Sequence, residues 1–141
     1  MKRMTLILSA ITLALASTTA IAKDDLQKQL QDLPRYQAVA GEPVNMFSRV
    51  IRTSISWKPL GEQHLLYYTS PAKAYLLTLD QKCTGLYRAQ SLTVSGGNTV
   101  HAGVDRVTVV GSDNPGGFDC KITEIRPVNL KAYRATKGTG Y

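Results

Sequence analysis

Cys83 and Cys120 are the only cysteines in the chain, so an intramolecular disulfide has one pairing available and one loop to close, of 37 positions. Whether those sulfurs oxidise depends on the compartment, and the N-terminus bears on that. Lys2 and Arg3 form a short positive start, Met4 to Ala16 is an almost uninterrupted apolar run, and Ala20-Ile21-Ala22 places small residues where a signal peptidase inspects the chain. Residues 1–22 are therefore expected to be a cleaved signal peptide, and the protein to be periplasmic or secreted. The apolar run falls short of the roughly 20 residues that cross a bilayer, so no transmembrane segment is expected after cleavage. No Cys follows the run to carry a bacterial-type lipid. In an oxidising compartment a structural Cys83–Cys120 disulfide is the expected state. Closing such a loop removes unfolded-chain entropy worth about 3.8 kcal/mol, a large share of the roughly 5–15 kcal/mol by which a domain is stable. A reactive thiol or a pair of metal ligands are the alternatives, and no CxxC spacing favours either.

The chain has 141 residues, of which 119 remain beyond Ala22. That is one small domain, too short for a two-domain Rossmann enzyme, a TIM barrel or a kinase-sized catalytic domain. Seventeen Lys and Arg against 10 Asp and Glu give a net charge of +7, and loss of Lys2 and Arg3 with the leader leaves +5.

Three zones follow the leader. Residues 23–36 carry Leu26, Leu30 and Leu33 at helical spacing, which predicts a short amphipathic helix ended by Pro34, with Asp24 and Asp25 at its positive end. The stripe is narrow, so the helix is expected to pack on the domain rather than to lie on a membrane or bind a partner. Residues 37–128 are expected to form a β domain. Met46–Ile51, Ser54–Trp57, His64–Thr69, Lys73–Leu79, Thr99–Ala102, Val104–Val110 and Cys120–Arg126 are short runs rich in Val, Ile, Thr and Tyr, separated by Gly, Pro and Asn clusters. Lys73–Leu79 is apolar on both faces, which predicts a central strand. Ile122 and Ile125 break strict alternation, which predicts either a bulge in the last strand or that the segment is not a strand. Leu86, Ala89 and Leu92 predict a helical turn over 85–92, and Asp113 to Gly117 a turn. Residues 129–141 hold Lys131, Arg134 and Lys137 with Gly138 and Gly140, and no apolar periodicity after Tyr133. A flexible basic tail is expected there, either a solvated end or a contact for anionic head groups.

Ala74-Tyr75-Leu76-Leu77-Thr78-Leu79-Asp80, then Cys83, then Leu86, Ala89 and Leu92, then Val104-Asp105-Arg106-Val107, and finally Cys120 to Val128 with its Ile-Arg-Pro ending, together resemble a family of small exported proteobacterial proteins catalogued only as a domain of unknown function. Gly41-Glu42-Pro43-Val44 and Trp57-Lys58-Pro59-Leu60-Gly61 also look like its pattern. The likeness spans Tyr36 to Val128, and the cysteine pair with Ile125-Arg126-Pro127 is its most specific part. It implies export and the disulfide, and no activity.

Chemistry-bearing motifs are sparse. There is no GxGxxG, GxxxxGK[ST], HExxH or Gly-x-Ser-x-Gly. His64 and His101, the only imidazoles, are read as strand-end or surface residues, with a base in a small hydrolase as the sharper alternative. Asp113, Asn114 and Asp119 lack calcium-loop spacing, so neither a metal nor a cofactor is expected. Glu42, Glu62, Asp80, Asp105 and Glu124 are the candidates for a carboxylate pair of the sugar-hydrolase type, which only a fold can bring together. Dispersed Lys and Arg without a basic–aromatic repeat argue against nucleic acid as a partner. Tyr67 and Tyr68, adjacent in a strand, must face opposite ways, so one of them is available to a binding surface.

The expected architecture is mainly β: a small antiparallel barrel or sandwich with an N-terminal helix and one disulfide. The expected role is that of an exported, non-catalytic binding or structural protein of the bacterial envelope, whose partner is an envelope component or another protein. A small secreted hydrolase using His64 or His101, or a protein inhibitor of a secreted enzyme, is the alternative.

Overall fold

The computed structural model describes residues 18–50 and 56–137. Most of the expected leader, the residues joining the Met46 and Trp57 runs, and the terminal glycines lie outside the described residues. The elements are helix α1 (Thr18–Ala38), strands β1 (Met46–Ser48), β2 (Trp57–Pro59), β3 (His64–Ser70) and β4 (Lys73–Leu79), a 3-10 turn (Leu86–Arg88), strands β5 (Ser91–Val94), β6 (Thr99–His101), β7 (Arg106–Gly111) and β8 (Asn114–Val128), and helix α2 (Leu130–Lys137). The protein is mainly β, as its alternating runs predict.

Six strands form one antiparallel sheet in the order β2-β3-β4-β8-β7-β5, and β1 with β6 forms a separate ribbon. Strand β8 explains the curl of the large sheet. Its second half pairs with β4 and its first half with β7. Between Thr78 and Leu79 the register skips from Glu124 to Ile122, which is the expected bulge, and a bulge bends and twists its strand. Beyond β7 the free edge of β8 is covered by loop amides: Gly103 N–H donates to Ile122 O, Val44 N–H to Ile125 O and Gly41 N–H to Pro127 O.

The curled sheet buries both faces. On the concave side Leu65, Tyr67, Tyr75, Leu77, Leu79, Val107, Val109, Ile122 and Ile125 pack with Phe47 and Val100 of the ribbon. The Phe47 and Tyr75 rings stack with centroids 4.5 Å apart. The Cys83–Cys120 disulfide lies within this core, both residues fully buried, and ties the segment after β4 to β8. On the convex side Leu60, Leu66, Ala74, Leu76 and Val128 pack against Tyr36 of α1 and Leu130 and Tyr133 of α2. Strand β4 is thus central and apolar on both faces, and its bounds match the expected Lys73–Leu79.

Five expectations are corrected. Pro34 does not end α1, which runs on to Ala38. An interior Pro costs a helix about 3 kcal/mol, and here burial of Tyr36 and its stack on Tyr133 offset that cost. The helix is already formed at Thr18, where the described residues begin, rather than starting at 23, so Asp24 and Asp25 fall outside its first turn. Residues 130–137 are not a flexible tail. Asn129 caps α2, its Oδ1 accepting from Ala132 N–H at 3.0 Å, and Leu130 and Tyr133 are its buried face. The expected turn at Asp113–Gly117 is shorter, because Asn114 to Gly117 already belong to β8. The helical turn expected over 85–92 is confined to Leu86–Arg88, and Ser91–Val94 is strand β5.

Candidate functional site

Helix α1 has two faces. Leu26, Leu30 and Leu33 make one stripe, while Lys28, Gln31, Asp32 and Arg35, at spacings of three, one and three, fall on the opposite side. Helix α2 lies beside that polar side, and Lys137 joins Lys28, Gln31, Asp32 and Arg35 in lining a cleft of about 340 Å³. The two helices are clamped by the Tyr36 and Tyr133 rings, stacked with centroids 4.0 Å apart and planes 13° apart. The Lys137 ammonium sits over the Tyr133 ring, 5.2 Å from its centre.

Asp32, the one acid among the described residues that line the cleft, is already occupied. Asp32 forms an ion pair with Lys58 and accepts a hydrogen bond from Tyr133 Oη at 2.8 Å. Burial by itself raises the Asp32 carboxyl, but the hydrogen bonds from Lys58 and Tyr133 outweigh it and hold the group below its ordinary 3.8. Burial, with the Tyr36 and Asp32 contacts behind it, pushes the Tyr133 phenol upward, so it stays a neutral donor. Lys28, Arg35 and Lys137 are left as the cleft's uncompensated charge. Of the three cations expected to meet anions, the structure brings Lys137 to this cleft. Arg134 instead donates to Pro71 O at 3.3 Å, and Lys131 is exposed on α2. Lys28 and Arg35 were not among the expected contacts. Their seven-residue spacing on the polar side of α1 is the signal that marks them, and it gains meaning only once α2 is known to dock there.

The two histidines occupy different settings. His101 is half exposed, and its Nδ1 lies 3.5 Å from Asp105 Oδ2. Asp105 is buried and accepts from His101 N–H at 2.6 Å and from Ser95 Oγ at 2.9 Å. Ser, His and Asp are therefore adjacent, but the serine donates to the carboxylate and not to the imidazole, so the nucleophile–base contact of a hydrolase triad is not formed. The aspartate instead organises the Ser95–Asn98 turn. Gly96, with φ +83°, passes so close that an added Cβ would lie 2.6 Å from Asp105 Oδ2. His64 is half buried, and burial pushes its imidazole below the ordinary 6.5 against a raising pull from Glu124. It forms a wall of two cavities. One, of about 410 Å³, is lined by Leu26, Leu30, Leu33 and Leu60 with Glu62, Gln63 and Lys82. The other, of about 290 Å³, is lined by Gln37, Leu76, Thr78, Glu124 and Arg126.

Tyr67 is the buried member of the tyrosine pair, and its hydroxyl accepts from Arg49 at 2.8 Å. Tyr68 is half buried towards the helices. Among the described residues no three His, Cys, Asp or Glu converge as a metal site. Among them, too, no helix is long and apolar enough to cross a membrane.

The chain belongs to a family of unknown function (DUF6491), whose family model matches residues 1–139. No curated protein and no solved structure matches it.

Proposed function

We propose that this member of the family is an exported, non-catalytic binding protein of the bacterial envelope, and that it uses the α1–α2 face to hold anionic head groups. One observation carries the reading: the cleft between the helices presents Lys28, Arg35 and Lys137 with its only acid already neutralised. The leader-like N-terminus and the buried disulfide fit an oxidising compartment. Each Lys or Arg near an anionic surface contributes about 1 kcal/mol. The three cleft cations, with Lys131 and Arg134 on the same short helix, therefore provide weak, reversible attachment that salt screens.

The test is co-sedimentation of the purified protein with vesicles of phosphatidylglycerol in phosphatidylcholine, at low and at physiological salt. Binding is expected to need the anionic lipid and to fall with added salt, and Lys28→Glu with Arg35→Glu is expected to abolish it. Charge reversal is a cleaner perturbation than deleting residues 129–141, because deletion also removes the buried Leu130 and Tyr133. Binding that ignores salt, or that survives the double reversal, refutes the proposal.

A further inference from the structure

The leucine side of α1 faces the sheet, and it does not close onto it. Leu30 remains 45% exposed although its Cδ2 touches the β2–β3 turn, where Gly61 at φ +101° leaves no room for a Cβ. Gln29 fixes the stand-off: its Nε2 donates to Tyr87 O at 2.8 Å, and its Oε1 accepts from Gly61 N–H at 3.1 Å. The helix is thus held on hydrogen bonds beside a cavity of about 410 Å³ whose wall is Leu26, Leu30, Leu33 and Leu60. An apolar chamber of that size, with a few polar groups at one end, has the form of a small-molecule site.

The polar groups at that end are partly engaged: Gln63 Nε2 donates to Leu79 O at 3.1 Å, and Glu62 pairs with Lys82. Glu62 Oε2 is buried, and its partner among the described residues is the Lys82 ammonium, an ion pair at 3.0 Å without full hydrogen-bond geometry. The His64 ring makes no hydrogen bond to the described residues, and it lines both the apolar cavity and the polar one. Across β3, β4 and β8 the register sets His64, Thr78 and Glu124 in one row, with Arg126 paired to Glu124 Oε1 at 2.5 Å. Each acid of the two chambers therefore has its own cation, Glu62 with Lys82 and Glu124 with Arg126. The site has many hydrogen-bonding groups and no surplus charge of either sign.

We infer that the two chambers form one binding site for a single-chain amphiphile, its alkyl chain under α1 against the leucines and its uncharged, hydroxyl-bearing head group at His64, Glu62 and Thr78. Charge balance selects the head: an anion meets Glu62 and Glu124, a cation meets Lys82 and Arg126, and neither finds an unpaired opposite. Hydroxyls can exchange hydrogen bonds with the imidazole and with the Thr78 side chain, which line the polar cavity. The site lies on the opposite side of α1 from Lys28 and Arg35, so it stands independently of the anionic-surface reading.

The experiment is calorimetric titration of the purified protein with three twelve-carbon probes below their micelle concentrations: monolauroyl glycerol, laurate and dodecylamine. Monolauroyl glycerol is expected to bind with one-to-one stoichiometry and about tenfold or more tighter than either charged probe, a difference of about 1.4 kcal/mol. His64→Ala is expected to weaken it severalfold, and Leu30→Gln, at a half-exposed position the fold tolerates, to weaken all three probes. Lys28→Glu with Arg35→Glu is expected to leave it unchanged. Equal affinity for the three probes, a preference for a charged one, or no saturable binding of the glycerol ester would each overturn the inference. Unaltered affinity in both His64→Ala and Leu30→Gln would overturn its placement.

Discussion

Replacing Arg49 by Met tests whether one guanidinium closes the open side of the curled sheet. Arg49 follows the end of β1 and reaches three separate parts of the chain. Its Nε donates to Gly97 O at 2.9 Å, Nη1 to Tyr67 Oη at 2.8 Å, and Nη2 to Val94 O at 2.7 Å and Gly96 O at 3.1 Å. It therefore links β3 to the end of β5 and to the turn before β6, strands that are not paired with one another. A hydrogen bond to a charged group contributes roughly 1.5–3 kcal/mol when well buried. The turn carbonyls at Gly96 and Gly97 can turn to water, so about 1 kcal/mol each for Tyr67 and Val94 and about half that for each turn carbonyl is the fair count, or about 3 kcal/mol in all. With a urea m-value of about 1.5 kcal/mol/M, the unfolding midpoint of Arg49→Met is expected about 2 M below that of the parent. Arg49→Lys keeps the charge but not the planar fork, so it is expected to recover only a minor part of the loss. A midpoint shift under about 0.5 M for Met, or full recovery by Lys, would show that neither the fork nor its geometry holds this seam.

Three further outcomes follow from the same contacts. Cys83→Ala with Cys120→Ala is expected to lower stability by about 3.8 kcal/mol in urea unfolding, and a loss below about 1 kcal/mol would remove the staple from the account. Tyr133→Ala removes the stack on Tyr36 and the donor to Asp32. It is expected to cost about 3 kcal/mol and to leave the amides of 130–137 without exchange protection, so unchanged protection there would contradict a docked α2. Burial raises the Asp105 carboxyl, but its bonds from the His101 amide and Ser95 outweigh this and hold it below 3.8. That depressed value makes its stabilisation complete above pH 3.8 and progressively lost as the pH falls through the folded-state value. Asp105→Asn should therefore be less stable than the parent at neutral pH, with the two urea-midpoint curves converging in acid. Parallel curves down to pH 2 would exclude Asp105 as a source of the acid sensitivity.

What could be read from the chain was whatever neighbouring residues decide among themselves. Lys73–Leu79 declares itself because a strand buried on both faces needs apolar residues at consecutive positions, and the bulge declares itself because Ile122 and Ile125 cannot share a face without one. The pairing of Cys83 with Cys120 needed only a count and a compartment. Helix α2 was legible in part: Asn129 as a cap with Leu130 and Tyr133 three apart is a local signature, hidden by the cations interleaved with it. Arg49 was not legible at all, since it stands next to a short strand while its partners are a phenol 18 positions away and main-chain carbonyls 45 to 48 positions away.

The candidate sites share that limit, and for one physical reason. A cation's role depends on which acids lie within a few ångströms, and that is set by packing rather than by order along the chain. Lys58 and Lys28 look equivalent as letters, yet Lys58 is spent on Asp32 and Lys28 is not. The tail cations looked like a sequence cluster, yet the docking of α2 sends Arg134 to Pro71, brings Lys137 to Lys28 and Arg35, and leaves Lys131 exposed. The same Tyr36–Tyr133 stack that offsets the helical cost of Pro34 therefore also decides where positive charge accumulates on the surface. If so, a Tyr133→Phe variant, which keeps the stack but withdraws the hydroxyl from Asp32, should leave the fold intact while making that carboxylate a competitor for Lys28 and Arg35. Its affinity for anionic vesicles should then drop, while the urea midpoint falls only by the worth of that one hydrogen bond, about 1 kcal/mol. A variant that binds as the parent does would mean that the cleft's charge is not governed by how Asp32 is held.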